Sequence, residues 1–359
     1  MLHALIMAGG SGTRFWPRSR RHRPKQLIRL FGARSLIQQT LDRVESIIPP
    51  ERVLVVTGRD QAGAVAEQLP ELPPGHIVGE PCPRDTAPCV GLAAARIVAE
   101  DPEATMVVLS ADHRIEPPAA FCQAVLAAAE EVENDPTAFV VFGIRPTRAE
   151  TGYGYIERAE TLGHRRNLAI DRVVRFKEKP DLETARAYLA SGRYLWNAGI
   201  FVWKARAVLD AIRAYQPDLA ESLDRLAKTF GTPAEADALA VEFPKMPRKP
   251  IDRAVMEHHT NVKVIESQYE WSDVGDWRSL AELLPKDDRG NVAEGRTLLV
   301  DTSNSVVISD GDHLVATLGL DEVVVIQSGH ATLVARKDQL DQLKALVESL
   351  GPAGYTDVL

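Results

Sequence analysis

Cysteine is scarce: Cys82, Cys89 and Cys122 are the only three in 359 residues. The count is odd, and no pair is spaced C-x-x-C. This fits a reducing cytoplasm better than a disulfide framework, and Cys82 and Cys89 are too irregularly placed for a zinc knuckle. We read all three as structural. Long hydrophobic runs are also missing. The apolar run at residues 2–6 is too short for a secretory signal and lacks a charged n-region. No stretch approaches the length of a bilayer span. The expectation is a soluble cytoplasmic protein with no membrane partner. Positive charge is not in excess either. The formal net charge is −8, which argues against general nucleic-acid binding, so any basic cluster is a local site rather than a coat. Low-complexity segments and clear long repeats are absent.

What the chain does have is apolar content, at 45%. Its length leaves room for one large domain and a smaller one. Residues 1–143 alternate strand and helix patterns. Strands are expected at 2–6, 52–57, 77–78, 105–109 and 138–142, and helices at 36–48, 61–69, 87–99 and 121–132. Run 105–109 (TMVVL) is continuously apolar, as in a central parallel strand. Such alternation predicts an α/β fold with a Rossmann-like, mostly parallel sheet and helices on both faces. Ligands of such sheets bind at the carboxyl ends of the strands. Residues 144–285 are less regular, with strand patterns at 170–176 and 200–203 and helical runs between 205 and 239. After Pro285 the composition turns to Gly, Asp, Ser and Val. Short strand patterns stand at 297–300, 305–309, 322–327 and 331–334, and a helix at 339–350. Two domains are thus expected, 1–285 and 286–359.

Residues 7–25 (MAGGSGTRFWPRSRRHRPK) organise the chain. Gly9, Gly10 and Gly12 let the backbone approach a ligand and aim consecutive N–H groups at one point. Arg14, Arg18, Arg20, Arg21, Arg23 and Lys25 follow, which suggests a ligand with several negative charges, most simply a chain of phosphates. Two familiar motifs do not fit. Gly12 is followed by Thr13 and Arg14, so this is no P-loop. Phe15 stands where the dinucleotide fingerprint needs its third glycine.

GGSGTRFWPRSRRHRPKQL resembles the signature of sugar-1-phosphate nucleotidyltransferases. Trp16-Pro17 and Pro24-Lys25-Gln26 are similar to the mannose-1-phosphate guanylyltransferase branch. The segments EPCPRDTAP, SADHRI, FGIRPTRAETGYGYI, FKEKP, YLWNAGIFVW, IDRAVME and WSDVGDW repeat the match, in the family's order, from residue 5 to about residue 280. The resemblance implies transfer of GMP from GTP to mannose 1-phosphate, giving GDP-mannose and pyrophosphate. It further implies a β-helix-like C-terminal module at 290–335, used in homodimer contacts. A second domain with phosphomannose isomerase activity, carried by long members of the family, is not expected in the 359 residues.

In such a reaction the attacking phosphate oxygen is already an anion, and the obstacle is bringing two polyanions together. Like charges 4 Å apart repel by about 4 kcal/mol at an effective dielectric near 20. Cations at each end and a metal between them are the parts required. Arg14 and Lys25 are assigned to the triphosphate, Lys25 taking the family role of stabilising the leaving pyrophosphate. Asp112 and Asp273 are the proposed Mg²⁺ pair, since magnesium takes hard oxygen ligands and only one or two protein carboxylates. Asp276 is a rival ligand, for which capping of a helix from Trp277 is preferred. The nucleotide set comprises Ala8, Gly9, Gly10, Ser11, Gly12, Thr13, Arg14, Lys25, Glu80, Asp85, Thr86 and Asp112. Glu80 is chosen because guanine presents neighbouring N1–H and N2–H₂ donors that a carboxylate accepts. Asp85 stands where the family usually has Asn, and either contacts base or ribose or caps the following helix. For the sugar, Gly154 permits backbone contact, Glu178 accepts from hydroxyls, Lys179 meets the phosphate and Asn197 both donates and accepts. Trp196 is read as core. A sister transferase using glucose 1-phosphate with UTP or dTTP, and a non-catalytic nucleotide-sugar sensor, are the alternatives.

Overall fold

The structure is a computed structural model and describes residues 1–10 and 12–359; the expected contact at Ser11 lies outside the described residues. Two compact units emerge, and neither is continuous in sequence. Unit 1 holds Met1–Gly9, Gln38–Ala111 and Ile115–Trp271; unit 2 holds Gly10–Ile37, Asp112–Arg114 and Ser272–Leu359.

The strands in chain order are β1 Leu2–Ala8, β2 Val53–Gly58, β3 Ile77–Glu80, β4 Thr105–Ser110, β5 Arg114–Glu116, β6 Phe139–Ile144, β7 Tyr155–Arg165, β8 Leu168–Lys177, β9 Tyr194–Lys204, β10 Val262–Glu266, β11 Glu270–Ser272, β12 Val292–Glu294, β13 Thr297–Val300, β14 Val306–Ser309, β15 Val315–Leu318, β16 Val323–Ser328 and β17 Ala331–Arg336.

Unit 1 is built on a nine-stranded sheet ordered β3-β2-β1-β4-β9-β6-β10-β8-β7. The apolar runs of β1 and β4 are buried and pair in parallel, with Leu5 opposite Val108. β2 and β3 extend the parallel run. β9 then enters antiparallel between β4 and β6. The ends of β1 and β4 are fastened where the Ala111 N–H donates to the Met7 carbonyl at 3.0 Å. The helix Thr86–Glu100 buries Ala87, Ala93 and Ala94. Its close packing is forced at Gly91, where a Cβ would stand 2.6 Å from Leu223 Cδ1.

Strands β5, β7, β10, β11, β12 and β15 lie outside the strand patterns expected from sequence. β7 buries only its first three residues, Tyr155, Ile156 and Glu157, and carries no continuous apolar run. β10 carries Lys263 in mid-strand, and its ammonium is neutralised by Glu131 at 2.6 Å and Asp135 at 2.8 Å.

Unit 2 coils its short strands. β12, β14 and β16 run parallel in register, Val292 opposite Val306 and Val306 opposite Val324, and β17 closes them antiparallel. β13 and β15 form a second, parallel pair. Val306, Ile308, Val324, Ile326 and Leu333 share one core cluster with Phe15, Trp16, Trp277 and Leu343. The expected terminal helix is two pieces: a 3-10 turn Lys337–Gln342 and a helix Leu343–Leu350. Among the described residues no helix is long and apolar enough to cross a membrane. All three cysteines are free thiols.

Candidate active site

The glycine turn has an open side and a packed side. A side chain on Gly9 or Gly10 would meet no described atom within 4 Å. At Gly12 a Cβ would lie 2.5 Å from the Lys25 Cβ and 2.7 Å from its backbone nitrogen. Gly10 and Gly12 also have φ of +95° and +60°, which disfavour any other residue. Phe15, two residues past Thr13, is fully buried against Trp277, with ring centroids 5.0 Å apart. The Trp277 indole N–H donates to the Trp16 carbonyl at 3.1 Å. This aromatic anchoring holds the packed side of the turn, while Gly9 and Gly10 are exposed.

Lys25 is 7% exposed. Its ammonium donates to Asp112 Oδ2 at 2.7 Å and to the Asp273 carbonyl at 2.6 Å, and lies 5.6 Å from the Phe15 ring centroid. The two aspartate segments singled out from distant stretches thereby meet at one ammonium, Asp112 through its carboxylate and Asp273 through its main-chain oxygen. Asp273 sits in a constrained turn. Val274 is buried with φ of +45°, a conformation that costs a β-branched residue about 1–3 kcal/mol. Its N–H donates to Ser272 Oγ at 3.1 Å. At Gly275 a Cβ would stand 3.1 Å from Asp273 Oδ2. Asp276 caps the helix Trp277–Leu283 in a capping box with Ser279, as preferred from sequence. Arg14 is exposed and forms no ion pair among the described residues. Arg18 and Arg20, by contrast, both donate to acceptors of unit 2.

The other predicted residues lie in unit 1. Ala8 closes β1, and its carbonyl accepts the Thr57 hydroxyl at 3.0 Å. Glu80 ends β3. Burial pushes its carboxyl up to about 7, with the nearby Asp85 charge adding to the rise and a bond to the Cys89 thiol opposing it. Glu80 Oε1 is buried without a hydrogen-bond partner among the described residues. A buried acceptor lacking a donor is costly unless a ligand supplies one. Asp85 precedes the helix Thr86–Glu100 as its N-cap, with φ of +69° and Oδ1 accepting the Thr86 N–H at 2.8 Å. The Thr86 hydroxyl accepts from the Ile251 N–H at 2.8 Å.

The residues expected to meet the sugar lie together. The Gly154 carbonyl accepts the Asn197 N–H at 2.8 Å, and a Cβ on Gly154 would stand 2.7 Å from Glu178 Oε2. Lys179 Nζ pairs with Glu178 Oε1 at 2.9 Å. Sequence reasoning missed one member, Asp252, whose Oδ1 accepts from Asn197 Nδ2 at 3.0 Å. Burial first, and the Glu178 charge second, push the Asp252 carboxyl up to about 7. It opens a π-helical turn, Asp252–Met256, an irregularity that recurs at functional sites. The segment IDRAVME that contains it was visible as a family segment, but nothing in its spacing assigned a role. Trp196 is buried, as expected of core, in an edge-on contact with Tyr153 at 5.3 Å.

Residues 3–290 match the family model for nucleotidyl transferases, and residues 295–350 match that of the MannoseP isomerase/GMP-like beta-helix domain. The chain belongs to the nucleotidyl transferase family. Within it, the chain is 38% identical over 356 residues to mannose-1-phosphate guanylyltransferase 2 of Escherichia coli O157:H7, across 97% of this chain and 73% of that protein. Identity to the mannose-1-phosphate guanylyltransferase of Klebsiella pneumoniae is 37% over 353 residues, across 98% and 74%. The crystal structure of mannose-1-phosphate geranyltransferase from Thermus thermophilus matches with a TM-score of 0.87 at 34% identity, covering 98% of this chain and 99% of that one. As a family member with these relatives, the chain is an enzyme of the nucleotidyltransferase type.

Proposed function

We propose that the chain transfers GMP from GTP to mannose 1-phosphate, forming GDP-mannose and releasing pyrophosphate. The observation that carries this is Lys25, buried beneath the glycine turn and bonded to both aspartate segments. The open side of Gly9 and Gly10 aims N–H donors at phosphate oxygens, and Lys25 and Arg14 offset their charge. Asp112 and Asp273 fit magnesium. They are two hard carboxylates on segments that meet at the Lys25 ammonium. That donor set suits an ion completed by phosphates and water. Bound there, Mg²⁺ would lower the repulsion between the two phosphate groups. Glu80 Oε1 takes a guanine donor, while Gly154, Glu178, Lys179 and Asn197 orient the sugar phosphate.

Exposed Leu298, Val300 and Leu318 on the β13–β15 face support the homodimer in the same reading, checked by light scattering. The deciding experiment is a matrix of four nucleoside triphosphates against several sugar 1-phosphates, scored for pyrophosphate. Turnover with GTP and mannose 1-phosphate above all other pairs is expected. Binding without turnover under any divalent metal would leave a nucleotide-sugar sensor instead.

A further inference from the structure

Arg18 and Arg20 stand in the most cationic stretch of the chain, yet both are spoken for. Arg18 is 7% exposed. Its Nε donates to Asp310 Oδ1 at 2.9 Å, and its Nη2 reaches Glu294 Oε1 at 2.9 Å and Asp310 Oδ1 at 2.6 Å. Asp310 is itself held. Its Oδ2 accepts the Ser328 hydroxyl at 2.6 Å, and its N–H donates to Gln327 Oε1 at 3.1 Å. Arg20 donates to the carbonyls of Val358 and, at 3.3 Å, Ser328. The Trp16 indole N–H donates to the Val358 carbonyl at 2.8 Å.

These acceptors share a place in the fold. Glu294 ends β12, Asp310 directly follows β14 and Ser328 ends β16. The three strands are neighbouring parallel rungs, with Glu294 opposite Ile308 and Ser309 opposite Gln327. Their carboxyl ends therefore form a comb of acceptors. Between the two engaged arginines lies Ser19, whose hydroxyl donates to the Gly12 carbonyl at 2.7 Å. Gly12 packs on Lys25, and Lys25 bonds Asp112 and the Asp273 carbonyl.

We propose that the rung ends of the C-terminal coil position the nucleotide loop, with Arg18 and Asp310 as positioning residues for phosphate binding. A guanidinium fork fixes an angle as well as a distance, which a lysine or an apolar contact does not. Two carboxylates converge on one buried guanidinium, so loss of Arg18 sets them against each other. A loop allowed to drift by about 1 Å would misplace its amides and Lys25 enough to cost up to about 10²-fold in rate. The inference rests on the reading that the glycine loop takes the nucleotide phosphates.

The test compares the full chain with its Asp310→Asn, Arg18→Lys and Ser328→Ala variants. Steady-state kinetics are measured in GTP and in mannose 1-phosphate, together with amide exchange across residues 12–28. Asp310→Asn is expected to raise the KM for GTP by about tenfold or more while that for mannose 1-phosphate moves within about twofold. Exchange should quicken at residues 12–28. Arg18→Lys keeps the charge but loses the fork and should shift the same way. Ser328→Ala only releases Asp310, so it should fold even if the others do not, with a smaller rise in the same KM. A lowered melting temperature with unchanged KM for GTP and unchanged exchange in all folded variants would reduce the lock to a plain stabilising contact and overturn the proposal. Lys25→Met separates the two levels: full turnover in that variant brings down the nucleotide reading itself, whatever the arginines do.

Discussion

Gly12→Ala puts the packed side of the turn to the test. The added methyl would lie 2.5 Å from the Lys25 Cβ and 2.7 Å from the Lys25 nitrogen. Carbon atoms rest about 3.5–4.0 Å apart, so one segment must retreat by about 1 Å. The obstacle includes backbone, so no rotamer change relieves it. The left-handed φ of +60° adds about 1–2 kcal/mol for any residue with a Cβ. Lys25 then leaves its 2.7 Å and 2.6 Å contacts with Asp112 and the Asp273 carbonyl, and a shift of about 1 Å predicts a fall in kcat/KM on the order of 10²-fold. Pyrophosphate release measures this, with thermal melting alongside. The control is Gly63→Ala. Gly63 lies in the helix Ala62–Gln68, and its Cβ would meet no described atom within 4 Å. That change should add up to about 1 kcal/mol of stability and leave the kinetics alone. Near wild-type kcat/KM in Gly12→Ala, with the fold retained, would refute the argument that this glycine sets the position of Lys25.

The remaining expectations are more direct. Asp112→Asn and Asp273→Asn should each lower turnover by several orders of magnitude with circular dichroism unchanged, and near-normal rates in both would remove the metal assignment. Glu80, raised from 4.5 to about 7, must ionise to accept from guanine, so the KM for GTP should rise about tenfold per pH unit below 7. Glu80→Gln should flatten that profile and weaken GTP relative to other triphosphates; an unchanged profile would rule the role out. For stability the sign is opposite: the folded state holds the Glu80 proton more tightly, so its contribution falls as pH rises from 4.5 to about 7. Lys263→Met leaves Glu131 and Asp135 facing each other without their ammonium. It should cost about 3–5 kcal/mol in denaturant unfolding with no change in either KM.

The chain's own order was enough to identify the α/β class and to single out the glycine turn. Continuous apolar runs such as β4 announce buried strands, although β4 is parallel to β1 and antiparallel to β9, and glycines followed by cations suggest an anion site, because both signals are local. The family segments added Asp112 and Asp273. What only the tertiary structure decided are relations between distant residues. No linear pattern shows that residues 10–37 join unit 2, since Phe15 and Trp16 find their apolar partners among residues of the C-terminal coil. Nor does it show that Arg18 is neutralised by Glu294 and Asp310 while Arg14 stays exposed: the two look alike in sequence, and only the partners distinguish them. β10 was hidden because its lysine reads as solvent-facing until Glu131 and Asp135 are seen to neutralise it. Asp252 has the same history, an ordinary aspartate in sequence whose character comes from burial beside Asn197 and Glu178. Local conformation follows from neighbours along the chain, whereas charge state and partnership follow from neighbours in space.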